Sequence, residues 1–281
     1  MKKIIALTLA VLMILGTFAL TVCAKNNKKV LTVAMSPDFA PMEFVDTSKT
    51  GQDQYVGFDV TLAKFIADEL GLELVIKPMS FDACQAAVQS GTVDMSISGF
   101  SYTETRAENF NLSDYYYAGD NETEQTIICL AENAGKWTTA DAFSGLKVGA
   151  QVASLQYDLC TSQLPADCSI EIFTDIGTAV EALRNGMIDA LAVAEGNGEA
   201  IIATNDQVAM TGFEFEVSEE AENNVIMLKK GNDDLTKSVN EVLAKAYAAG
   251  YYGQWYTDAK VLAGIETASE VVYDDAGNVA E

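Results

Sequence analysis

Alternating strand and helix patterns run through most of this chain and repeat one plan twice. Residues 74–98, LVIKPMSFDACQAAVQSGTVDMSIS, read as a strand, a helix closed by glycine, and a second strand opened by aspartate. Residues 170–194, IEIFTDIGTAVEALRNGMIDALAVA, follow the same plan, and the Gly-x-x-Asp of each copy begins at Gly91 and at Gly186. Strands that alternate with short helices form βαβ units with parallel strands. The pattern therefore predicts an α/β fold.

Two interpretations of the repeat are open: two similar lobes, or two βαβ units within one sheet. Polar segments favour two lobes, since AGDNETEQ (118–125) lies between the copies and SEEAENN (218–224) follows the second. Two such linkers allow the chain to cross, build a second lobe and return. We therefore expect one lobe from residues 28–117 and 225–281 and the other from residues 118–224, with a ligand cleft between them.

Residues 1–24 combine a basic start with an uncharged apolar stretch, which predicts an export signal. The run Val22-Cys23-Ala24 fits a signal-peptidase pattern. The four residues that end at Cys23 also resemble a lipobox, in which Cys23 would be lipidated, although Val22 departs from the usual Gly, Ala or Ser. An uncleaved anchor is a third alternative, because about 20 apolar residues span a bilayer. Each alternative places the remainder at the cell surface or in the periplasm.

Composition excludes several classes of function. Lys and Arg total 17, two of them in the export signal, against 41 Asp and Glu, so the exported part has a formal charge of −26. Nucleic-acid binding needs clustered basic residues and is not expected. Histidine is absent, which excludes Ser-His-Asp and Cys-His catalysis and histidine-ligated metals, so we expect neither metal nor cofactor.

Cys160 and Cys168 bracket a turn-like loop. Their spacing is compatible both with a disulfide and with two separate thiols.

One of the two arginines, Arg106, stands at the start of a predicted helix. If Thr103 is the N-cap, Arg106 is at N3, where a capping box would have Glu or Gln. A guanidinium at the positive end of a helix does not stabilise the helix, but with free N–H groups it suits a carboxylate ligand. The alternative is an exposed arginine paired with Glu104, Glu108 or Asp114, an interaction worth about 0–1 kcal/mol. The residues alone leave both interpretations open.

Segments spread over the whole exported part carry a resemblance to a known family. They are DFAPMEF (38–44), YVGFDVTLAKFIADELG (55–71), VDMSISGF (93–100), SYTETRAENFNLSDYYY (101–117), LKVGAQVASLQ (146–156), ALRNGMIDALAVAE (182–195) and KKGNDDLTKSVNEVL (229–243). Their order and spacing resemble the extracytoplasmic amino-acid-binding proteins of ABC importers, solute-binding protein family 3. The resemblance implies a two-lobed clamshell of type II, with a ligand cleft between lobes joined by two crossover strands.

The resemblance implies that both lobes contact the ligand's carboxylate. In similar proteins the arginine at the position of Arg106 binds the α-carboxylate. Residues at the positions of Ser101 and Gly99 offer the carboxylate backbone and hydroxyl contacts and offer the ammonium a carbonyl. Ser98 is a further candidate on the same strand end, and Ser154 opens a helix of the second lobe with its hydroxyl and free N–H groups.

The remaining candidates concern the ligand's side chain. Phe39 and Phe81 stand where similar proteins sandwich that side chain between aromatic rings, although either alone would more often be a core residue. Relatives that bind cationic side chains often have an acid at the position of Ser36. Here the hydroxyl favours a neutral polar side chain, although Asp38 is close. Gln151 is interpreted either as a cleft residue or as an ordinary strand surface residue.

Two positions depart from the family pattern. Ala153 replaces the glycine expected before Ser154, and Ala194 replaces the aspartate that binds the ligand's ammonium. An unpaired ammonium in a closed cleft costs several kcal/mol. Either Glu195 takes its place after a small register change, or the ligand lacks an α-ammonium, or Glu195 is merely a solvated residue.

The resulting hypothesis is the substrate-binding component of an ABC importer, a monomer that captures a small amino acid and delivers it to a membrane permease. A carboxylate ligand without an α-ammonium is the alternative. A dehydratase-like cleft enzyme on the same fold is a less favoured rival, and so is a membrane-coupled sensor. We expect no enzymatic activity, because binding and closure require no chemistry.

Overall fold

The computed structural model describes residues 29–117 and 124–265. The predicted export signal with Cys23, most of the first linker and residues 266–281 of the predicted first lobe lie outside these ranges. The strands are β1 (Val30–Met35), β2 (Asp38–Phe39), β3 (Glu43–Val45), β4 (Tyr55–Val56), β5 (Glu73–Pro78), β6 (Met95–Ser96), β7 (Phe110–Leu112), β8 (Gln125–Leu130), β9 (Lys147–Gln151), β10 (Ser169–Phe173), β11 (Ala190–Ala194), β12 (Val208–Glu214) and β13 (Met227–Lys229). The α-helices are α1 (Phe58–Glu69), α2 (Phe81–Ser90), α3 (Glu104–Asn109), α4 (Leu155–Gln163), α5 (Ile176–Arg184), α6 (Glu195–Thr204), α7 (Asp233–Ala248) and α8 (Tyr251–Ala263). None of these helices is both long and apolar enough to cross a bilayer.

Two five-stranded sheets, one in each lobe, share a single topology. The strand order is β5-β1-β6-β13-β7 in the first sheet and β10-β9-β11-β8-β12 in the second. In each sheet the first three strands are parallel, and the last two pair antiparallel with their neighbours. The repeated plan in the sequence is β5-α2-β6 in one sheet and β10-α5-β11 in the other. The two-lobe interpretation is therefore confirmed.

Strand β13 shows that the chain returns to the first lobe. It follows the whole second sheet in sequence, yet it lies between β6 and β7 of the first sheet. The two helices that follow it, α7 and α8, pack on α1 of the first lobe. Phe58 at the start of α1 contacts Tyr252 and Trp255 of α8, with ring centroids 5.8 and 6.4 Å apart. The chain therefore crosses between the lobes twice.

The aspartate of each Gly-x-x-Asp has the same structural role in both lobes. Asp94 Oδ2 accepts a hydrogen bond of 2.7 Å from Thr32 N–H at the start of the first sheet. Asp189 Oδ2 accepts one of 2.8 Å from Lys147 N–H at the start of the second. Both carboxylates therefore tie the βαβ unit to the adjacent parallel strand.

The four cysteines of the described residues are free thiols. Cys84 and Cys129 are buried, as their apolar sequence contexts predict. Of the two alternatives for Cys160 and Cys168, the structure has two separate thiols and no disulfide. Burial raises the pKa of the Cys160 thiol to about 12, so the thiol stays protonated and unreactive and packs in the hydrophobic core of the second lobe.

Candidate functional site

A cavity lies between the two lobes, outside the carboxyl ends of their parallel strands. The predicted site residues that line it are Arg106, Ser101, Gly99, Ser98, Phe39, Phe81, Ser36, Ser154 and Gln151. Its volume is about 30 Å³, enough for one or two water molecules. A ligand as large as an amino acid therefore enters only when the lobes separate or the lining side chains shift.

Direct hydrogen bonds across the cleft hold the lobes together. Three of them run from Ile176 N–H to Asp38 Oδ2 (2.7 Å), from Asn197 Nδ2 to Ala40 O (2.9 Å) and from Arg106 Nη2 to Ala153 O (3.0 Å). Each joins a residue of the first lobe to one of the second. The structure is therefore the closed form of the clamshell.

Arg106 is at N3 of α3, and Thr103 is the N-cap, as predicted: Thr103 Oγ1 accepts a hydrogen bond of 3.1 Å from Arg106 N–H. The arginine is only 6% exposed, and its Nη1 donates to Ser101 O at 2.6 Å. It forms no ion pair with any described carboxylate, so the alternative of an exposed pair is wrong. Burial lowers the pKa of the guanidinium to about 10. The group stays charged at neutral pH and suits an anionic ligand.

The end of strand β6 is held in place from behind the cavity. Gly99 has a left-handed φ of 55°, and a Cβ there would lie 2.6 Å from Cε1 of Phe39, so only glycine fits under this ring. The Gly99 N–H donates to Asp59 Oδ2 at 2.8 Å. Ser98 Oγ accepts from Ser36 N–H at 3.0 Å and donates to the Glu43 carboxyl group. Two buried acids therefore position the residues that face the ligand.

These acids, Glu43 and Asp59, are fully buried and contact each other. Asp59 Oδ2 also accepts a hydrogen bond of 3.0 Å from the Tyr116 hydroxyl. The remaining oxygens, Glu43 Oε2 and Asp59 Oδ1, have no other donor. Burial raises the pKa of Asp59 to about 7, and burial together with the neighbouring charge of Asp59 raises the pKa of Glu43 well above its usual value. One proton on Glu43, donated to Asp59, satisfies both oxygens.

Helix α4 points its amino end at the cavity. Ser154 is its N-cap: the hydroxyl accepts from Tyr157 N–H at 3.1 Å and donates to Gln151 O at 2.7 Å. The N–H groups of Leu155 and Gln156 lack intrahelical acceptors, because helix geometry provides none, and both residues line the cavity. These groups add partial positive charge opposite Arg106.

Ala153 adopts a left-handed conformation, which the glycine expected at this position would adopt more easily. Its φ is 59°, which costs a non-glycine residue about 1–3 kcal/mol. The Ala153 carbonyl accepts hydrogen bonds from Arg106 and, at 3.3 Å, from Gln85 of the first lobe. The strained residue is therefore also an inter-lobe contact.

The two predicted aromatic walls both lie at the cavity. Phe81 packs on Phe100 with ring centroids 4.6 Å apart. The Arg106 guanidinium carbon lies 5.7 Å from the Phe81 centroid and 5.4 Å from that of Phe100, within cation–π range. Phe39 is partly buried against the first core, above Gly99. The rings orient Arg106 as well as lining the cavity.

Asp38 lines the cavity and bridges the lobes. Its Oδ1 accepts from Ser36 Oγ at 2.8 Å, and its Oδ2 accepts from Ile176 N–H, the first residue of α5, and from Gln151 Nε2 at 3.4 Å. Burial raises the pKa of this carboxyl group. A helix amino end and two side chains therefore compensate its charge within the protein.

On the side of the cavity where the ligand's ammonium is expected, the structure places Ala194 and Asn197 but not Glu195. Ala194 is the buried N-cap of α6 and lines the cavity. Glu195 does not line it; a hydrogen bond with Glu124 raises the pKa of Glu195 to about 7. Asn197, one turn into the helix, does line the cavity and is 2% exposed. The small register change proposed for Glu195 is absent from the structure.

Sequence reasoning missed the carboxyl pair, the bridging role of Asp38 and the presence of Asn197. No local pattern marks the pair, because its members come from β3 and α1. Asn197 stands between two glycines, Gly196 and Gly198, which do not favour a helix, yet all three form part of α6. The combined site has a buried cation, two helix amino ends and aromatic walls, an arrangement that suits a small carboxylate-bearing molecule.

Comparison with known proteins shows the family to which the chain belongs. The family model described as bacterial extracellular solute-binding proteins, family 3, matches residues 31–258. The arginine-binding extracellular protein ArtP of Bacillus subtilis is 28% identical over 92% of this chain and 100% of its own length. The L-cystine-binding protein TcyJ of Escherichia coli is 29% identical over 80% of each chain.

Solved structures show the same likeness. The amino acid ABC transporter substrate-binding protein AbpA of Streptococcus pneumoniae, bound to L-arginine, has a TM-score of 0.76 at 32% identity and covers 86% of this chain and 98% of its own. An ancestral arginine-binding protein bound to glutamine has a TM-score of 0.72 at 28% identity, covering 82% and 97%. These relatives are named as binding proteins, in agreement with the expectation that the chain is not an enzyme. The chain belongs to the bacterial extracellular solute-binding proteins, family 3.

Proposed function

We propose that the protein is the substrate-binding component of an ABC importer, which captures a small amino acid between its lobes and delivers it to a membrane permease. The observation that carries the proposal is Arg106, a buried cation at the inter-lobe cavity that forms no ion pair with any described carboxylate; Asp158 of α4 is the acid near enough to favour its charge. A ligand carboxylate would compensate this charge and accept the N–H groups at the start of α4.

A neutral polar side chain is the ligand type that we propose. Ser36 presents a hydroxyl where relatives with cationic ligands often have an acid. Asp38 is the carboxylate nearby, but Ser36, Ile176 and Gln151 already donate hydrogen bonds to it. It therefore does not need a cationic partner. Relatives named for arginine and cystine, and a structure with glutamine bound, show that this fold accepts several side chains.

Ligand release requires the lobes to open about the two points at which the chain passes from one lobe to the other. Opening breaks the bonds of Asp38, Asn197 and Arg106 across the cleft and exposes the charged groups to water. A bound carboxylate adds contacts to both lobes and shifts the equilibrium towards the closed form. We propose that the closed, monomeric protein then docks on its permease, and that Cys23 anchors it if the signal is of the lipoprotein type.

The alternative ligand is a carboxylate without an α-ammonium. Ala194 offers no charge to an ammonium, and Glu195 does not reach the cavity. A thermal-shift panel of the twenty amino acids, together with their desamino carboxylic acids, separates the two ligand classes. A ligand at one hundred times its Kd stabilises the protein by about 2.7 kcal/mol, which raises Tm by roughly 5–10 °C. Amino acids that all fail while desamino acids succeed would support the alternative.

Substitution of Arg106 tests the site itself. Arg106→Met keeps the side-chain volume but removes the guanidinium, so we expect titration calorimetry to show at least a hundredfold loss of affinity for the ligand found in the panel. The fold should persist, because no ion pair is broken. Arg184→Met is the matched control: this arginine pairs with Glu181 on the exposed face of α5 and should leave affinity unchanged. Binding retained by Arg106→Met would refute the assignment.

A further inference from the structure

Asn197 has a hydrogen-bond acceptor that nothing in the described structure satisfies. The residue is 2% exposed and lines the inter-lobe cavity, yet its Oδ1 has no partner. Buried amide oxygens are nearly always hydrogen-bonded, because leaving one without a donor costs free energy. An unsatisfied oxygen on a cavity-lining residue therefore points to a donor on the ligand.

The orientation of this amide follows from its other end. Asn197 Nδ2 donates to Ala40 O of the first lobe at 2.9 Å. Exchanging the oxygen and nitrogen would place two carbonyl oxygens against each other, so the hydrogen-bonding pattern fixes the assignment. Lobe closure thus orients the amide through Ala40 and leaves Oδ1 as its unused acceptor.

The position of Asn197 on α6 places this acceptor beside Ala194. Ala194 is the N-cap and Asn197 is N3, and a side chain at N3 reaches back over the first turn towards the N-cap. Ala194 has no polar side chain, and Glu195 at N1 hydrogen-bonds with Glu124. Asp38 lies two residues before Ala40 and also lines the cavity, but its oxygens already accept hydrogen bonds from Ser36, Ile176 and Gln151.

We propose that Asn197 Oδ1 accepts a hydrogen bond from the α-ammonium of the ligand and thereby selects amino acids over carboxylic acids that lack the amino group. This inference rests on the proposed function, since it presupposes a carboxylate-bearing ligand held by Arg106. A neutral acceptor with a charged donor forms a strong hydrogen bond. Asn197 therefore has two roles. Its Nδ2 donates a hydrogen bond to the first lobe when the lobes close, and its Oδ1 accepts one from the ligand.

The test compares two substitutions with two sets of probes. Asn197→Leu keeps the side-chain shape and removes both polar atoms. Gln85→Leu is the matched control, because it removes an inter-lobe hydrogen bond to Ala153 and Gln85 is not a cavity-lining residue. Wild type and both variants are titrated calorimetrically with the twenty L-amino acids and with their desamino carboxylic acids, such as 3-hydroxypropanoate for serine and glutaramate for glutamine. Melting curves verify that each variant is folded.

We expect wild type to bind at least one amino acid tenfold or more tightly than its desamino acid. In Asn197→Leu the ratio of the two affinities should fall about tenfold. Gln85→Leu should lower the affinities for the amino acid and for its desamino acid by the same factor and leave their ratio unchanged. Equal losses for both probes in Asn197→Leu would overturn the inference and leave only a closure contact. A wild type that binds amino acids without preferring them overturns it as well. If no probe of either class binds wild type, the proposed function fails first, and the inference with it.

Discussion

The buried pair of Glu43 and Asp59 predicts an unusual dependence of stability on pH. The unfolded chain releases the Glu43 proton above about pH 4.5, whereas the folded protein retains it, because burial raises the pKa of Glu43 well above its usual value. The folded state then binds more protons than the unfolded state, so the free energy of unfolding falls as pH rises. Each proton that the folded protein holds and the unfolded chain releases lowers the free energy of unfolding by about 1.4 kcal/mol per pH unit over the range in which it is held. The pKa of Asp59, raised to about 7, adds a second such proton below that pH.

Glu43→Gln removes the need for a proton on residue 43 and keeps the hydrogen bonds of its side chain. The glutamine oxygen still accepts from Ser98 Oγ, and its amide donates to Asp59 at every pH. Asp59 then has three donors, with Gly99 N–H and the Tyr116 hydroxyl. We therefore expect the stability of the variant relative to wild type to rise with pH, by about 1.4 kcal/mol for each pH unit over which wild type holds the Glu43 proton.

Urea unfolding at half-unit steps from pH 5 to pH 8 measures the effect. Glu73→Gln, which removes an exposed glutamate from β5 of the same lobe, controls for the change in net charge. The quantity of interest is the difference between the Glu43→Gln and wild-type unfolding free energies as a function of pH. Curves for these two proteins that run parallel would show that no proton is held by the pair, and the reasoning from burial would be refuted.

Two residues with left-handed φ, Gly99 and Ala153, supply the remaining predictions. Gly99→Ala should lower ligand affinity at least tenfold and destabilise the protein by about 1–3 kcal/mol, because the new Cβ would meet the Phe39 ring at a left-handed φ. Unchanged binding by calorimetry together with an unchanged urea midpoint would contradict this close approach. Ala153→Gly should relieve the strain of the left-handed φ and raise the free energy of unfolding by about 1 kcal/mol, seen as a higher urea midpoint. A lower midpoint would show that the backbone entropy of glycine outweighs the strain.

Local patterns in the sequence were sufficient for features whose hydrogen bonds are local. The repeated Gly-x-x-Asp predicted two equivalent βαβ units, and the structure has one in each sheet. Thr103 and Arg106 are three residues apart, so the capping of α3 could be predicted from spacing alone. Nine of the ten candidate site residues line one cavity, and most of them were proposed from the resemblance to a family.

What spacing could not supply depends on residues that are distant in sequence. Glu43 and Asp59 look like ordinary acids of a strand and a helix, and only tertiary packing removes water from both and shifts their pKa values. Glu195 follows Ala194 directly, but the direction of its side chain is decided by Glu124 on a neighbouring strand end. Asn197 acquires an unsatisfied oxygen only because Ala40 of the other lobe takes its nitrogen.

The sequence by itself thus determined the α/β class, the two-lobed plan and the arginine at a helix amino end, since each follows from periodicity, composition or contacts within a few residues. Tertiary structure alone decided which acids are buried, which side chains cross the cleft and which polar atoms remain for a ligand. The physical reason is that desolvation and hydrogen-bond satisfaction depend on every neighbouring group, and most of those neighbours come from the other lobe or from distant strands.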